Sequence, residues 1–132
     1  MATPLNLLIV LLFIVISVQG TNGADRCAAS SSIDVQTINT GEAAAGGGGD
    51  TVFEVQVKNL CGCSVRDVRL DGGGFATTVE VDPAVFRAAD DGGDYYLVNG
   101  GGPIASMATV SFRYTWDHFF PITPRSMEED QC

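Results

Sequence analysis

The sequence predicts an all-β protein: an antiparallel β-sandwich of about seven strands, stapled by two disulfides. Three observations lead there. Apolar and polar residues alternate along most of the chain, glycine-rich clusters interrupt that alternation, and four cysteines follow an uncharged apolar leader.

The leader comes first because it sets the compartment. Residues 1–20, MATPLNLLIVLLFIVISVQG, carry no charged side chain and hold an unbroken apolar run from Leu7 to Ile16. That run is too short for a membrane-spanning helix, which needs roughly 20 apolar residues. It fits the hydrophobic region of a signal peptide, with Val18 and Gly20 at the small-residue positions before a cut. The reading divides the chain into a signal peptide, 1–20, and one exported domain, 21–132, with no membrane insertion after cleavage.

The strands follow in order. Ser32 to Thr37 alternates. Thr51–Lys58 is the clearest strand, with Phe53, Val55 and Val57 on one face and Glu54, Gln56 and Lys58 on the other. Val65–Leu70 and Phe75–Val81 come next, the latter placing Phe75, Thr77, Val79 and Val81 together. Tyr95–Asn99 is short. Ala108 to Trp116 alternates again, and Phe120 with Ile122 forms a last short strand. Between them, residues 41–50 (GEAAAGGGGD) read as a flexible glycine-rich loop, and Pro83–Ala89 holds at most a helical turn with Asp82 as its N-cap.

In an oxidising route, Cys27, Cys61, Cys63 and Cys132 read as two disulfides. One intervening residue makes a Cys61–Cys63 bond awkward. Two connectivities remain: 27–61 with 63–132, or 27–63 with 61–132. Either ties both chain ends to the Leu60-Cys61-Gly62-Cys63 junction, and loops of that size contribute about 3.5–4.5 kcal/mol each by the chain-entropy argument. Zinc wants four N or S ligands at suitable spacing and the only histidine is His118; a thioredoxin-type site wants C-x-x-C.

Sixteen acidic against seven basic residues give a formal charge of −9, which offers no footprint for nucleic acid or anionic lipid. Catalysis finds little support. His118 lies among Trp116, Phe119 and Phe120, and no G-x-S-x-G motif is present. Asp90, Asp91 and Asp94 form the densest carboxylate group, yet acidic residues beside glycine describe any solvated turn. Tyr95, Tyr96 and Trp116 are the candidates for stacking on sugar rings. No residue is assigned a catalytic, cofactor-binding or metal-ligating role.

Seven stretches in order carry a resemblance. They are Arg26-Cys27 with Ile33–Gln36, Phe53–Cys61, Cys63, Val68–Leu70 with Gly74-Phe75, Val81–Pro83 with Phe86-Arg87, Leu97–Asn99 with Gly102–Ile104, and Val110–Tyr114 with Phe119–Ile122. Together they resemble the TAPETUM DETERMINANT-like family of small secreted cysteine-rich plant proteins. The resemblance covers essentially the whole exported part. It implies an extracellular (apoplastic) signal perceived by a leucine-rich-repeat receptor kinase, with a role in anther and tapetum cell fate. The family usually carries six cysteines; here Gly72 and Tyr96 stand at the two further positions, which implies that the missing pair bond each other in relatives.

The leading expectation is therefore a secreted, non-enzymatic, monomeric protein ligand for a receptor-kinase ectodomain, without cofactor. A carbohydrate- or wall-binding module is the alternative and predicts aromatic side chains aligned on an exposed face. An enzyme ranks last.

Overall fold

In the computed structural model, residues 27–44, 49–90 and 94–132 are described. The expected signal peptide, most of the glycine tract and Asp91 lie outside them. A single helical turn, α1 (Ala29–Ser32), leads into β1 (Ile33–Ala43), followed by β2 (Thr51–Asn59), β3 (Ser64–Asp71), β4 (Phe86–Ala88), β5 (Tyr95–Val98), β6 (Thr109–Trp116) and β7 (Thr123–Gln131). The seven strands form two antiparallel sheets, one ordered β1-β2-β6 and the other β4-β5-β3-β7. An antiparallel sandwich stapled by two disulfides is thus the fold, as the alternation required.

Strand β2 shows why. Its period-two pattern buries Phe53, Val55, Val57 and Asn59 and leaves Glu54, Gln56 and Lys58 half-buried on the outer face. Pairing with β6 sets Phe53 opposite Tyr114, Val55 opposite Phe112 and Val57 opposite Val110. Phe53 and Tyr114 stack at 5.1 Å between centroids. Val65, Val68, Leu70, Phe86 and Val98 of the other sheet complete the core. Each such side chain contributes about 1.5–3 kcal/mol on full burial.

The ends of the elements depart from the sequence reading. Strand β1 runs on to Ala43, which pairs with Thr51 past an irregularity after Asn39, so Gly41–Ala43 belong to the strand and not to the expected 41–50 loop. Gly41 supplies the left-handed φ of +79° that this irregularity uses.

Phe75–Val81 is not a strand. Gly73 and Gly74, at φ +58° and +86°, turn the chain away from β3. Only Thr77 and Thr78 reach a strand edge: the Thr78 amide donates to Thr115 O (2.8 Å) and the Thr115 amide to Thr77 Oγ1 (3.0 Å). Phe75 acts instead as a plug, with ring contacts at 5.2–5.7 Å to Phe86, Tyr96, Tyr114 and Phe120.

The Pro83 turn exists and Asp82 does cap it, accepting from the Ala84 amide at 2.9 Å, but the chain leaves it at Phe86 to form β4. One turn without a following apolar face does not propagate. Phe120 and Ile122 are buried without a ladder, since Pro121 between them has no N–H to donate. The last strand is Thr123–Gln131, an edge strand with three register shifts against β3 and little apolar alternation. It is held by Arg66, which faces Glu128 (3.6 Å) and Asp130 (3.9 Å), and by its closing disulfide.

Candidate functional site

The cysteine junction is built on Asn59. The period that buries Phe53, Val55 and Val57 also turns Asn59 inward, where it is 1% exposed. Its Nδ2 donates to the carbonyls of Cys63 (2.9 Å), Ile104 (3.0 Å) and Ala105 (3.2 Å), and its Oδ1 accepts from the Cys61 amide (2.8 Å). Its backbone donates to Ala108 O (3.0 Å) and accepts from the Met107 amide (2.7 Å). One buried amide side chain therefore locks the junction to the 104–108 loop, with its polar atoms satisfied. Ser106 Oγ donating to Cys61 O (2.6 Å) and the Leu60 amide donating to Ser32 O (2.7 Å) complete the frame.

The disulfides pair Cys27 with Cys61 and Cys63 with Cys132, closing separations of 34 and 69 residues. This is the first of the two connectivities left open above. Glu129 sits beside both, its carboxylate accepting from the Cys27 amide at 3.0 Å. The sulfurs and Glu129 lie within 4.8 Å in two groups, a spacing that would suit a metal ion. All four sulfurs are oxidised, however, and the ligand that zinc requires is a thiolate.

Beside the junction lies the outer face of the β1-β2-β6 sheet. Register aligns Asp34, Lys58 and Thr109 in one row, and Gln36, Gln56 and Ser111 in the next. A shallow cavity of about 350 Å³ is lined by Asp34, Gln36, Gln56, Lys58, Leu60 and Thr109. Gln36 Nε2 donates to Asp34 (3.1 Å) and Gln56 Nε2 to Glu54 (3.0 Å). Farther along the face, Arg113 meets Glu54 (3.4 Å) and Glu42 (3.7 Å). The ammonium of Lys58, the chain's one lysine, has no hydrogen bond or ion pair among the described residues.

The residues weighed for chemistry do not converge. His118 is exposed, contacts Asp117 through Nδ1, and packs on Phe120 at 4.9 Å. Asp90 pairs with Arg87 at 3.4 Å. Tyr95 lies under the Arg125 guanidinium at 4.7 Å, while Tyr96 stacks on Phe86 at 4.9 Å. Trp116 belongs to the other sheet and packs toward Phe120. These half-buried rings do not make one platform for a sugar. Burial first, then the Asp94 charge, raises the Tyr96 hydroxyl above the ordinary tyrosine value. Burial likewise raises Tyr114, opposed by the Phe120 amide that donates to its hydroxyl at 3.0 Å. The role of Asn59 was not anticipated, although its place on the Phe53-Val55-Val57 face was visible in the alternation.

Comparison with known proteins matches residues 29–130 to the family described as "Tapetum determinant 1, C-terminal". The chain is 36% identical over 75 residues to an uncharacterized protein of Arabidopsis thaliana, covering 56% of this chain and 58% of that one. It is 35% identical over 75 residues to TPD1 protein homolog 1B of Oryza sativa subsp. japonica, covering 56% and 43%. It is 30% identical over 77 residues to TPD1 protein homolog 1 of Arabidopsis thaliana, covering 57% and 42%. The matched region thus spans about half the length of these relatives. No solved structure matches significantly. With the family pattern running from the first helical turn almost to the end of the last strand, this chain belongs to the tapetum determinant 1 family.

Proposed function

We propose that the protein is exported and acts, without catalysis, as a ligand for the ectodomain of a plant leucine-rich-repeat receptor kinase in reproductive cell-fate signalling. The observation that carries this reading is the family match over residues 29–130. The architecture supports it. Two disulfides suit an oxidising compartment, and no helix among the described residues is long and apolar enough to cross a membrane. A cross-linked sandwich loses little conformational entropy on docking. The formal charge of −9 favours a basic strip on the partner and an association rate that falls with salt.

The test presents the oxidised protein to a panel of purified leucine-rich-repeat receptor-kinase ectodomains at low and physiological salt. One ectodomain is expected to bind, more slowly at the higher salt. No binding to any of them at low salt would reject the reading.

A further inference from the structure

We propose that the receptor-docking surface is the cysteine-junction end of the β1-β2-β6 face, where Leu60, Met107 and Lys58 engage an apolar pocket edged by a carboxylate. The inference rests on the receptor reading above and names the part of the molecule that would carry it.

Three independent features meet at this place. The first is exposed apolar surface: Leu60 is 45% and Met107 56% exposed, and the Met107 amide bonds the carbonyl of the Asn59–Leu60 peptide itself. Methionine is enriched at interface centres, where its flexible thioether adapts to an apolar pocket.

The second is backbone strain. Met107 has φ +67°, a left-handed conformation unfavourable for a residue that is neither Gly, Asn nor Asp. Strain of this kind persists only where the surroundings over-determine it, and it clusters at functional sites. Here the surroundings are explicit. Asn59 grips the loop at Ile104, Ala105, Met107 and Ala108, so the methionine is displayed on a backbone fixed before any partner arrives.

The third is charge. Arg66, Arg69, Arg87 and Arg113 each face a carboxylate of this chain, and Arg125 covers Tyr95. Lys58 stands opposite Asp34 in the β1–β2 ladder but makes no ion pair among the described residues; Asp34 accepts from Gln36 instead, and Lys58 and Asp34 both line the cavity with Leu60. In a chain with sixteen acidic residues, a half-buried lysine whose ammonium makes no ion pair among the described residues is complementary to a carboxylate supplied from outside. The other exposed large apolar residues, Ile38, Val79 and Phe119, have no unpaired cation beside them, and none has a left-handed backbone.

The experiment uses the full oxidised chain against the same ectodomain panel. Met107→Gly removes the side chain while suiting the left-handed backbone, and Lys58→Glu reverses the charge at a partly exposed site. Each is expected to weaken binding roughly tenfold or more, with both disulfides and the melting temperature retained. Lys58→Arg, Ile38→Ala and Phe119→Ala should bind like the parent chain. A parent chain that binds while Met107→Gly and Lys58→Glu bind equally well would overturn the docking surface and leave the receptor reading standing. Equal losses in Ile38→Ala and Phe119→Ala would overturn it too. If the parent chain binds no ectodomain, both inferences fall.

Discussion

A Cβ placed on Gly72 would lie 2.4 Å from Cε1 and 2.9 Å from Cδ1 of Tyr96, so the tyrosine ring fills the space a side chain at position 72 would take. These are the two positions at which the family resemblance places a further pair of cysteines. Gly72 follows β3, its amide donates to Asp94 O, and Tyr96 sits on β5 opposite Leu70. The two positions are neighbours across the β3–β5 ladder. Where relatives are expected to hold this corner covalently, here an aromatic ring stacked on Phe86 and edge-on to Phe75 holds it by packing.

Gly72→Ala should therefore destabilise the fold by about 1–3 kcal/mol, because the ring has core neighbours behind it and cannot retreat freely. Denaturant unfolding of the oxidised protein measures this. The double variant Gly72→Cys with Tyr96→Cys should form a third disulfide, read as no free thiol and a mass six hydrogens lower than the fully reduced form. Persistent free thiols after oxidation would contradict the neighbourhood.

Asn59→Ala removes one acceptor and a donor shared by three carbonyls, stranding the Cys61 amide and the carbonyls of Cys63, Ile104 and Ala105. Each buried orphan costs about 1–3 kcal/mol. A total loss of at least about 3 kcal/mol is expected, with hydrogen exchange rising first at Met107 and Ala108. A loss near that of an ordinary surface change would mean water replaces the amide.

The two disulfides should not be equivalent. By the chain-entropy argument each loop contributes about 4 kcal/mol, the longer one slightly more. Their structural roles differ. Cys132 is exposed and directly follows β7, an edge strand whose ladder to β3 is broken by register shifts. Cys63→Ser with Cys132→Ser should release β7 in native-state hydrogen exchange while β2 and β6 stay protected. Cys27→Ser with Cys61→Ser should loosen α1 and the start of β1 instead.

Tyr96 and Tyr114 are both raised above the ordinary tyrosine value near 10. In that range the folded chain holds the hydroxyl protons more tightly than the unfolded chain. Their contribution is fully present at neutral pH and is lost as pH climbs from about 10 through the raised values. The melting temperature should fall over that interval, and less steeply in Tyr96→Phe. Tyrosinate absorbance appearing together with unfolding, and not before it, would confirm the coupling.

The interior sheets were legible because burial on one face forces period two, as in Phe53-Glu54-Val55-Gln56-Val57. The cysteine count, with an exported reading, implied two bridges, but spacing alone left their pairing open. Strand β7 was not legible. Thr123–Gln131 is an exposed edge whose ladder hydrogen bonds need no apolar alternation, and its register is set by Arg66 and Cys132. Phe75–Val81 misled for the opposite reason: its alternation is genuine, but Gly73 and Gly74 direct Phe75 into the core before a strand can form. At the candidate site, Asn59 was predictable as an inward polar residue. The strain at Met107 and the missing partner of Lys58 are tertiary facts that no local pattern encodes.

The central claim is that an oxidised, cross-linked sandwich is recognised by a receptor ectodomain. Its most direct test is the association kinetics of the chain, oxidised and then fully reduced, on immobilised leucine-rich-repeat receptor-kinase ectodomains. The account predicts saturable binding by the oxidised form, with an on-rate that falls with salt, and its loss on reduction. Absence of binding by the oxidised form at low salt, or undiminished binding after reduction, would contradict it.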